Sequence, residues 1–521
     1  MPTAYRAGLL AEAELGHSIE KDEYEKRLDG LRVELLNLQY DSRSADFSTM
    51  ILVVGDDRPG CIDLLHALHE WMDARYIETH VLYGQWSEEE IERPVFWRYW
   101  RRLPPRGRTG LFLGAWPFQL IDGALDKKLG TLELDAGIDH VEHFERLLVQ
   151  DGTLVLKFWL HLPPAVLKKR LKKAKKKSEW RVEESDWRGL DDYEEGLQMV
   201  ERLLRRTNTP NSPWTIVEST DHRYRNLAVA QQISHALRLR LESGAPAPEA
   251  PTVAAPEPID EQLVLDRVDL GASLEPKHYD QQLDSLQGRL AELSRKAIDR
   301  GFSCVMAFEG WDAAGKGGTI RRLTRALPAQ NVRVMRVGAP TDEEKARHYL
   351  WRFWRQLPRD GNAVIFDRSW YGRVLVERVE GFAKEEEWRR AYEEINEFES
   401  QLCEHGMPVL KFWLHIDPDE QLRRFEARAK TPYKKYKLTE EDFRNREKWP
   451  DYSQAVHDMV TRTNTSYAPW KLIAANDKRH ARIEVLRTVC ERIEAWLDGP
   501  GSGKSRKKRK KHKKGRKRQQ D

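Results

Sequence analysis

The chain contains itself twice, and this constrains its fold more than any other feature of its 521 residues. Lys157-Phe158-Trp159-Leu160-His161 recurs as Lys411-Phe412-Trp413-Leu414-His415. Arg206-Thr207-Asn208-Thr209 recurs as Arg462-Thr463-Asn464-Thr465, and Pro213-Trp214 as Pro469-Trp470. Trp97-Arg98-Tyr99-Trp100-Arg101 answers Trp351-Arg352-Phe353-Trp354-Arg355. Four ordered matches at one near-constant offset require two copies of one domain. Ser243 to Pro258, rich in Ala and Pro, separates them and reads as an extended linker. The expected organisation is a first domain over 1–242, a linker over 243–258, a second domain over 259–500 and a tail over 501–521.

Each copy opens on an amphipathic helix. Tyr24, Leu28, Leu31, Leu35 and Leu38 match Tyr279, Leu283, Leu286, Leu290 and Leu293, spaced by four and three. Short apolar runs follow at Ile51–Val54 or Cys304–Phe308, at Leu111–Leu113 or Ala363–Phe366, and at Leu154–Leu160 or Val409–Leu414. Before the last run of the second copy, Trp388, Tyr392, Ile395, Phe398 and Leu402 form one helical stripe. Buried strands alternating with helices predict an α/β fold, a parallel sheet covered on both faces.

The second copy carries the informative turn. After Cys304–Phe308 comes Glu309-Gly310-Trp311-Asp312-Ala313-Ala314-Gly315-Lys316-Gly317-Gly318-Thr319, and then a helical segment from Ile320. Strand, glycine-rich turn and helix start make a phosphate cradle: backbone N–H groups close on phosphate oxygens at the positive end of a helix. Gly310 to Lys316 fits G-x-x-x-x-G-K. Gly317 stands where a Ser or Thr usually holds Mg²⁺, so Asp312 is the substitute ligand. Asp367 ends the strand Ala363–Phe366, at the sheet edge where nucleotides bind. With Asp312 it offers two hard oxygen ligands for Mg²⁺. Arg368 and Arg373 flank Ser369-Trp370-Tyr371-Gly372, and either could neutralise charge on a moving phosphoryl. The prediction is two tandem P-loop kinase-like domains with a helical basic lid. That lid is read in Arg424 to Lys437, where six cations and two tyrosines surround Pro432.

The duplication is an internal control. Gly310, Asp312 and Gly315 answer Gly55, Asp57 and Gly60, but Lys316 answers Cys61. Asp367 and Arg368 answer Leu113 and Gly114. The first copy therefore reads as a fold kept without its chemistry: a scaffold, a dimerisation surface or a polyanion-holding platform. Its Lys168 to Lys177 stretch stays basic. His348 and His415 have no partner at catalytic or metal spacing and read as packing or hydrogen-bonding residues, and Trp351, Trp354, Trp413 and Trp470 read as core.

Composition narrows the setting. Four scattered cysteines, Cys61, Cys304, Cys403 and Cys490, fit a reducing compartment, so a cytoplasmic location is expected. No signal peptide and no apolar run near 18 residues is found, and no membrane role is expected. The net charge of +4 conceals a division. Residues 504–521 hold twelve Lys and Arg and one Asp, which leaves 76 cations against 83 anions, or −7, on the rest. The tail has no apolar residue, reads as disordered and suits a polyanion. Nothing in the body resembles a base-reading element, so no specific nucleic acid is expected.

These motifs resemble a known family. Phe308–Gly318, Ala339-Pro340-Thr341 with Glu344, His348–Arg352, Asp367–Tyr371, Pro432–Lys437, Trp449–Tyr452, Arg462–Thr465 and Ala468–Trp470 look like the polyphosphate kinase 2 family. The resemblance is close over about 275–490, with the first half a degenerate copy, and two fused domains resemble the family's fused subgroup. It implies a P-loop kinase that moves a terminal phosphoryl from inorganic polyphosphate to a nucleotide with Mg²⁺, Mn²⁺ being the alternative ion. The fused subgroup implies AMP as acceptor and ADP as product. Carried over by residue, Asp312 and Asp367 hold the metal, and Lys316 and Arg368 bind the phosphates in flight. Gly310, Ala313, Ala314, Gly315, Gly317, Gly318 and Thr319 form the cradle, while Arg373, Arg428, Lys430 and Lys434 clamp nucleotide and polyphosphate. Gly372 stands where the family often has Asn, and Tyr436 where it often has Trp. Competing readings are phosphorylation of ADP or GDP to the triphosphate, an ATP-dependent nucleotide kinase, and a non-catalytic polyanion-binding protein. A homo-oligomer is expected.

Overall fold

The computed structural model describes residues 9–83, 86–125, 130–176, 193–244, 263–432 and 440–499. Residues 433–437 of the expected lid, most of the linker and the basic tail lie outside them. No helix among the described residues is long and apolar enough to cross a membrane.

Two five-stranded sheets are present, and every strand pair in both is parallel. The first contains β1 (Thr49–Gly55), β2 (Ile77–Val81), β3 (Thr109–Leu113), β4 (Leu154–His161) and β5 (Trp214–Glu218), in the order β2-β3-β1-β4-β5. The second contains β6 (Cys304–Gly310), β7 (Val332–Arg336), β8 (Ala363–Asp367), β9 (Val409–His415) and β10 (Trp470–Ala474), in the order β10-β9-β6-β8-β7. The two orders are the same order read from opposite ends. The central strands β1 and β6 are buried up to the glycine that ends each, as strands covered by helices on both faces must be. The apolar runs read from the sequence are β1, β3 and β4 with their counterparts β6, β8 and β9. The strands not read, β2, β5, β7 and β10, are the sheet edges. Edge strands are covered less completely, so residues such as Glu78 and Arg333 break the apolar run.

The chain forms two compact units. The first comprises Met1–Gln85, Arg102–Glu249 and Asp342–His348, and the second Trp86–Arg101, Ala250–Thr341 and Tyr349–Asp521. Each unit thus includes a short segment of the other repeat. Within the second unit, Trp100 stacks on Trp354 with ring centroids 5.6 Å apart. Arg93 there donates to the Leu357 carbonyl at 3.0 Å.

The opening helices are α1 (Lys21–Ser42) in the first unit and α5 (Pro276–Asp299) in the second. Each buries its leucine stripe, Leu31, Leu35 and Leu38 in α1, and Leu286 and Leu290 in α5. Helices α2 (Arg58–Trp71), α3 (Thr131–Gln150) and α4 (His222–Ser243) also belong to the first unit.

Under both sheets lies the same buried ion pair. Lys411 of β9 reaches Glu399 of α7 (Glu385–His405) at 2.7 Å, and Lys157 of β4 reaches Glu145 of α3 at 2.6 Å. All four side chains are almost completely buried. Burial lowers both lysines' pKa values and raises those of both glutamates; each partner's charge opposes the shift. Such a pair persists because its remaining hydrogen-bonding capacity is filled. Lys411 also donates to the Thr463 carbonyl and the Tyr371 hydroxyl, while Glu399 accepts from Trp370 Nε1 and the Tyr371 hydroxyl. The pair therefore anchors Trp370 and Tyr371, just after Asp367 and Arg368. Replacing Lys411→Met is expected to destabilise the chain by roughly 3–5 kcal/mol in chemical denaturation, because Glu399 is left buried without its counter-ion. Adding Glu399→Gln, which keeps an acceptor for Trp370 and Tyr371, is expected to recover part of that loss.

Candidate active site

The loop after β6 is held open by its own backbone. Gly310 has φ 142°, and a Cβ there would lie 2.5 Å from the Leu414 carbonyl oxygen of β9, so only glycine fits. Gly315 has φ 110° and precedes α6 (Lys316–Arg325). Two non-glycine residues, Ala313 and Arg368, both have φ 65°, a costly conformation kept where the surroundings impose it. β6 and β8 pair with Phe308 opposite Asp367, which sets the end of β8 beside the loop. The Arg368 N–H donates to the Phe308 carbonyl at 3.0 Å.

Charges converge here. Lys316 Nζ folds back on the Gly310 carbonyl at 2.6 Å and the Trp311 carbonyl at 3.2 Å. Burial lowers its ammonium pKa, Asp312, Asp367 and Glu309 pull upward, and Arg368 adds to the lowering. Asp312 accepts from Arg368 Nη2 at 2.9 Å and from Asn445 Nδ2 at 3.1 Å. Burial pushes its carboxyl up, but Lys316, Arg368 and Asn445 together outweigh that and hold it below the ordinary carboxylate value. Asp367 Oδ2 lies 4.0 Å from where a Cβ on Gly317 would be, beside the first turn of α6.

Of the other residues singled out in the sequence, Gly317, Gly318 and Thr319 form the first turn of α6, and the Thr319 hydroxyl donates to the Gly315 carbonyl at 3.3 Å. Arg373 is paired with Glu377 at 3.2 Å and Glu387 at 3.7 Å, and its guanidinium lies 4.4 Å from the Tyr349 ring. Arg428 sits in the last turn of α8 (Pro418–Ala429), and Lys430 is exposed just after it. Lys434 lies outside the described residues. His348 is buried, and so are the four expected core tryptophans, Trp351, Trp354, Trp413 and Trp470.

Several participants were not anticipated. Arg424 of α8 donates to the carbonyls of Ala313 and Ala314, both at 2.9 Å, and to those of Ala475 and Asn476. It ties the crest of the loop to the end of β10. Glu309, the last residue before Gly310, is buried and accepts from the Ser369 N–H at 2.7 Å and its hydroxyl at 2.8 Å. Burial raises its carboxyl's pKa against the pull of Lys316 and Ser369. A carboxylate near the end of an apolar strand was the available signal; the first copy has Val54 there. Gln421 of α8 donates to the Asp312 carbonyl at 3.2 Å, and Asn445 comes from the helix Glu440–Glu447. Nothing local in the sequence links either to the loop. Beside Asp312 and Arg368 opens a cavity of about 610 Å³, counting its solvent-open part, with Trp311, Trp413 and Tyr452 in its wall.

For a metal, two carboxylates beside a phosphate cradle fit a hard divalent cation that takes its remaining ligands from water and substrate phosphates. No cluster of three or more His, Cys, Asp or Glu suited to a metal occurs among the described residues.

The corresponding loop of the first copy is arranged differently. Gly55 still opens the loop, with φ 144° and no room for a Cβ beside the Leu160 carbonyl. Asp57, almost wholly buried, accepts from the Gly60 N–H at 3.1 Å, Arg170 at 2.8 Å, Arg225 at 3.4 Å and the Ser219 hydroxyl. Arg225 crowds Gly60 so closely that a Cβ there would fall 2.4 Å from Nη1. The cradle is closed by internal ion pairs, and Cys61, fully buried with its thiol pushed up by burial, replaces the lysine.

His415 turns one contact into a pH dependence. Trp311 Nε1 donates to His415 Nδ1 at 2.9 Å, so that nitrogen must be unprotonated. Burial pushes His415 down to about 4, against the pull of Asp417 and Asp266. A histidine depressed in the folded state loses its contribution as pH falls from the unfolded value near 6.5 toward 4. At pH 5 the loss is expected to be about 2 kcal/mol relative to pH 7. Comparing denaturation of the wild type and His415→Gln at pH 7 and pH 5 checks this; the variant should lose less stability on acidification.

Comparison with known proteins bears on this geometry. A family model described as polyphosphate kinase 2 matches residues 18–243 and again 273–498. A polyphosphate:AMP phosphotransferase of Pseudomonas aeruginosa is 48% identical over 93% of this chain and 98% of its own length. The protein of the same name from Acinetobacter johnsonii is 38% identical over 90% and 96%. A solved polyphosphate kinase 2 structure from Pseudomonas aeruginosa superposes with TM-score 0.84 at 46% identity, covering 94% of this chain and 99% of that one.

Proposed function

The chain belongs to the polyphosphate kinase 2 family, and on that premise we propose that it transfers the terminal phosphoryl group of inorganic polyphosphate to AMP, giving ADP. The observation that carries this reading is the convergence of Asp312, Lys316, Arg368 and Asp367 at the loop after β6. The fused relatives that match nearly the whole chain bear the AMP name. A protein named ADP-polyphosphate phosphotransferase, 37% identical, matches only 46% of the chain.

The reaction is an exchange of one phosphoanhydride for another. An AMP phosphate oxygen bonds to the terminal phosphorus of the polyphosphate. The bond from that phosphorus to its bridging oxygen breaks, and the shortened chain leaves with the oxygen and the electron pair. The nucleophile is already anionic, so no base need take a proton. What the protein must supply is alignment and positive charge. The N–H groups of Gly315 to Gly318 and the Lys316 ammonium would hold the donor's terminal phosphates. Arg368 would turn from Asp312 to the migrating phosphoryl. Asp312 and Asp367 would hold Mg²⁺, which supplies charge neutralisation across donor and acceptor phosphates. Arg428, Lys430 and Lys434, with Arg373 behind them, are proposed to clamp the substrates from the lid side. Because the bond made resembles the bond broken, the transfer is reversible and follows the concentrations.

Product analysis with polyphosphate as sole donor, and AMP, ADP, GMP and GDP offered separately, tests the proposal. ADP formed from AMP at the highest kcat/KM is expected. Faster conversion of ADP to ATP would assign the other acceptor. In the full chain, Lys316→Ala and Asp367→Asn are each expected to reduce transfer at least about a thousandfold with the fold intact, near 4 kcal/mol of transition-state stabilisation. The first copy, lacking lysine and open cradle, should not compensate. Activity of either variant within about tenfold of the wild type would contradict the roles given to these residues.

A further inference from the structure

The opening helix of the first copy carries a second stripe that the core does not use. On α1, Leu31, Leu35 and Leu38 face inward. On the opposite side Asp29, Val33, Leu36, Tyr40 and Arg43 recur at steps of four and three residues, one line along a helix, and all are exposed. Val33 is 60% exposed, Leu36 43% and Tyr40 67%. Single exposed apolar residues are ordinary, but three large ones in one line mark a surface that another surface covers. The duplication shows that the fold does not need them. At the matching positions of α5 stand Gly288, Ala291 and Arg295. Both helices open the same fold, so the apolar side chains of α1 answer a demand other than folding.

The charges at the two ends of the line say what covers it. An acid, Asp29, precedes the three apolar residues and a base, Arg43, follows them. Arg43, Arg75 and Arg108 gather round the Tyr76 ring, their guanidinium carbons 4.4, 5.8 and 4.9 Å from its centroid. Arg43 also lies 4.8 Å from the Tyr40 ring. At the positions matching Arg43, Arg75, Tyr76 and Arg108 the second copy has Ile298, Gln330, Asn331 and Asn362, with no cation among them. The basic end therefore belongs to the first copy alone, as the apolar line does.

A line that runs from an acid through three apolar side chains to a base matches a second copy of itself laid antiparallel. Leu36 is its centre. Seven residues, about 10 Å along the axis, separate Leu36 from Asp29 on one side and from Arg43 on the other. Two α1 helices crossing antiparallel at Leu36 bring Asp29 of one copy to Arg43 of the other. Arg32, exposed four residues before Leu36, comes to the Tyr40 ring four residues after it. Leu36 meets Leu36. A parallel pair would instead set Asp29 on Asp29 and Arg43 on Arg43. We infer that the chain forms a two-fold dimer through the outer face of α1, with the antiparallel register centred on Leu36. The inference is independent of the phosphotransfer reading. One helix face on another is a small interface with charged ends, so the dimer forms in the micromolar range and weakens as salt rises.

Sedimentation equilibrium of the full chain between about 1 and 100 µM, at low salt, is expected to show monomers passing to dimers. Leu36→Glu sets two like charges together at the centre of the contact and should keep the chain monomeric over that range. Its thermal unfolding should match the wild type, because position 36 lies away from the core. Asp29→Arg and Arg43→Asp should each weaken association at least about tenfold, and the two together should restore it. Leu36→Cys should form a disulfide between copies under mild oxidation, whereas Ala291→Cys, at the matching position of α5, should not. A wild-type chain still monomeric at the top of the range overturns the inference. So does a dimer that Leu36→Glu leaves intact, or a double charge variant that associates no better than the single ones. Ala291→Cys linking as readily as Leu36→Cys overturns it too.

Discussion

A half-buried lysine needs oxygen around it, and Lys316 has it. Its ammonium rests on two loop carbonyls and interacts with the charges of Asp312, Asp367 and Glu309. Those anions are held in turn: Asp312 by Arg368 and Asn445, and Glu309 by Ser369. Charges collected at low dielectric interact strongly, so the arrangement is stable only while every member stays in place. Arg424 secures the crest of the loop, and the Lys411–Glu399 pair secures the turn that carries Arg368. The strained backbone at Ala313 and Arg368 fits this picture, since a φ of 65° persists only where neighbours impose it.

The repeat separates what folds the domain from what acts in it. Both copies keep the buried lysine–glutamate pair, the tryptophan that bonds to its glutamate and the glycine that opens the loop. The charges beyond those differ. Where the second copy has Arg424 on the loop carbonyls, the first has Arg170 on the carboxylate of Asp57 itself, with Arg225 added beside it. Without the lysine, Asp57 still needs positive partners, and it finds them inside the protein. The result is a loop whose buried carboxylate is already paired within the protein.

Much of this was legible in the sequence. Apolar runs identified the central strands, and the spacing of Gly310, Gly315 and Lys316 marked the turn between β6 and α6. Asp367 ends β8, as its apolar run suggested. The edge strands were not legible, because partial exposure lets polar residues interrupt their pattern. Arg424, Gln421 and Asn445 were not legible as partners of Asp312 and its loop, since each lies more than 100 positions away along the chain. Arg424 stood in the basic stretch read as a lid, but its side chain is buried against loop carbonyls. Composition registers a cation and cannot say which oxygen it faces. Arg373 makes the same point: a guanidinium beside the strand end is engaged by Glu377 and Glu387.

The chain holds two copies of one fold, and the phosphate site proposed above belongs to the second alone. Equilibrium titration of the full chain with AMP, in the presence of Mg²⁺ and polyphosphate too short to transfer, counts such sites directly. One AMP bound per chain is predicted, because the loop after β1 is filled by Arg170 and Arg225. Two bound per chain would contradict the account by showing an open first cradle, and none would remove the acceptor site it describes.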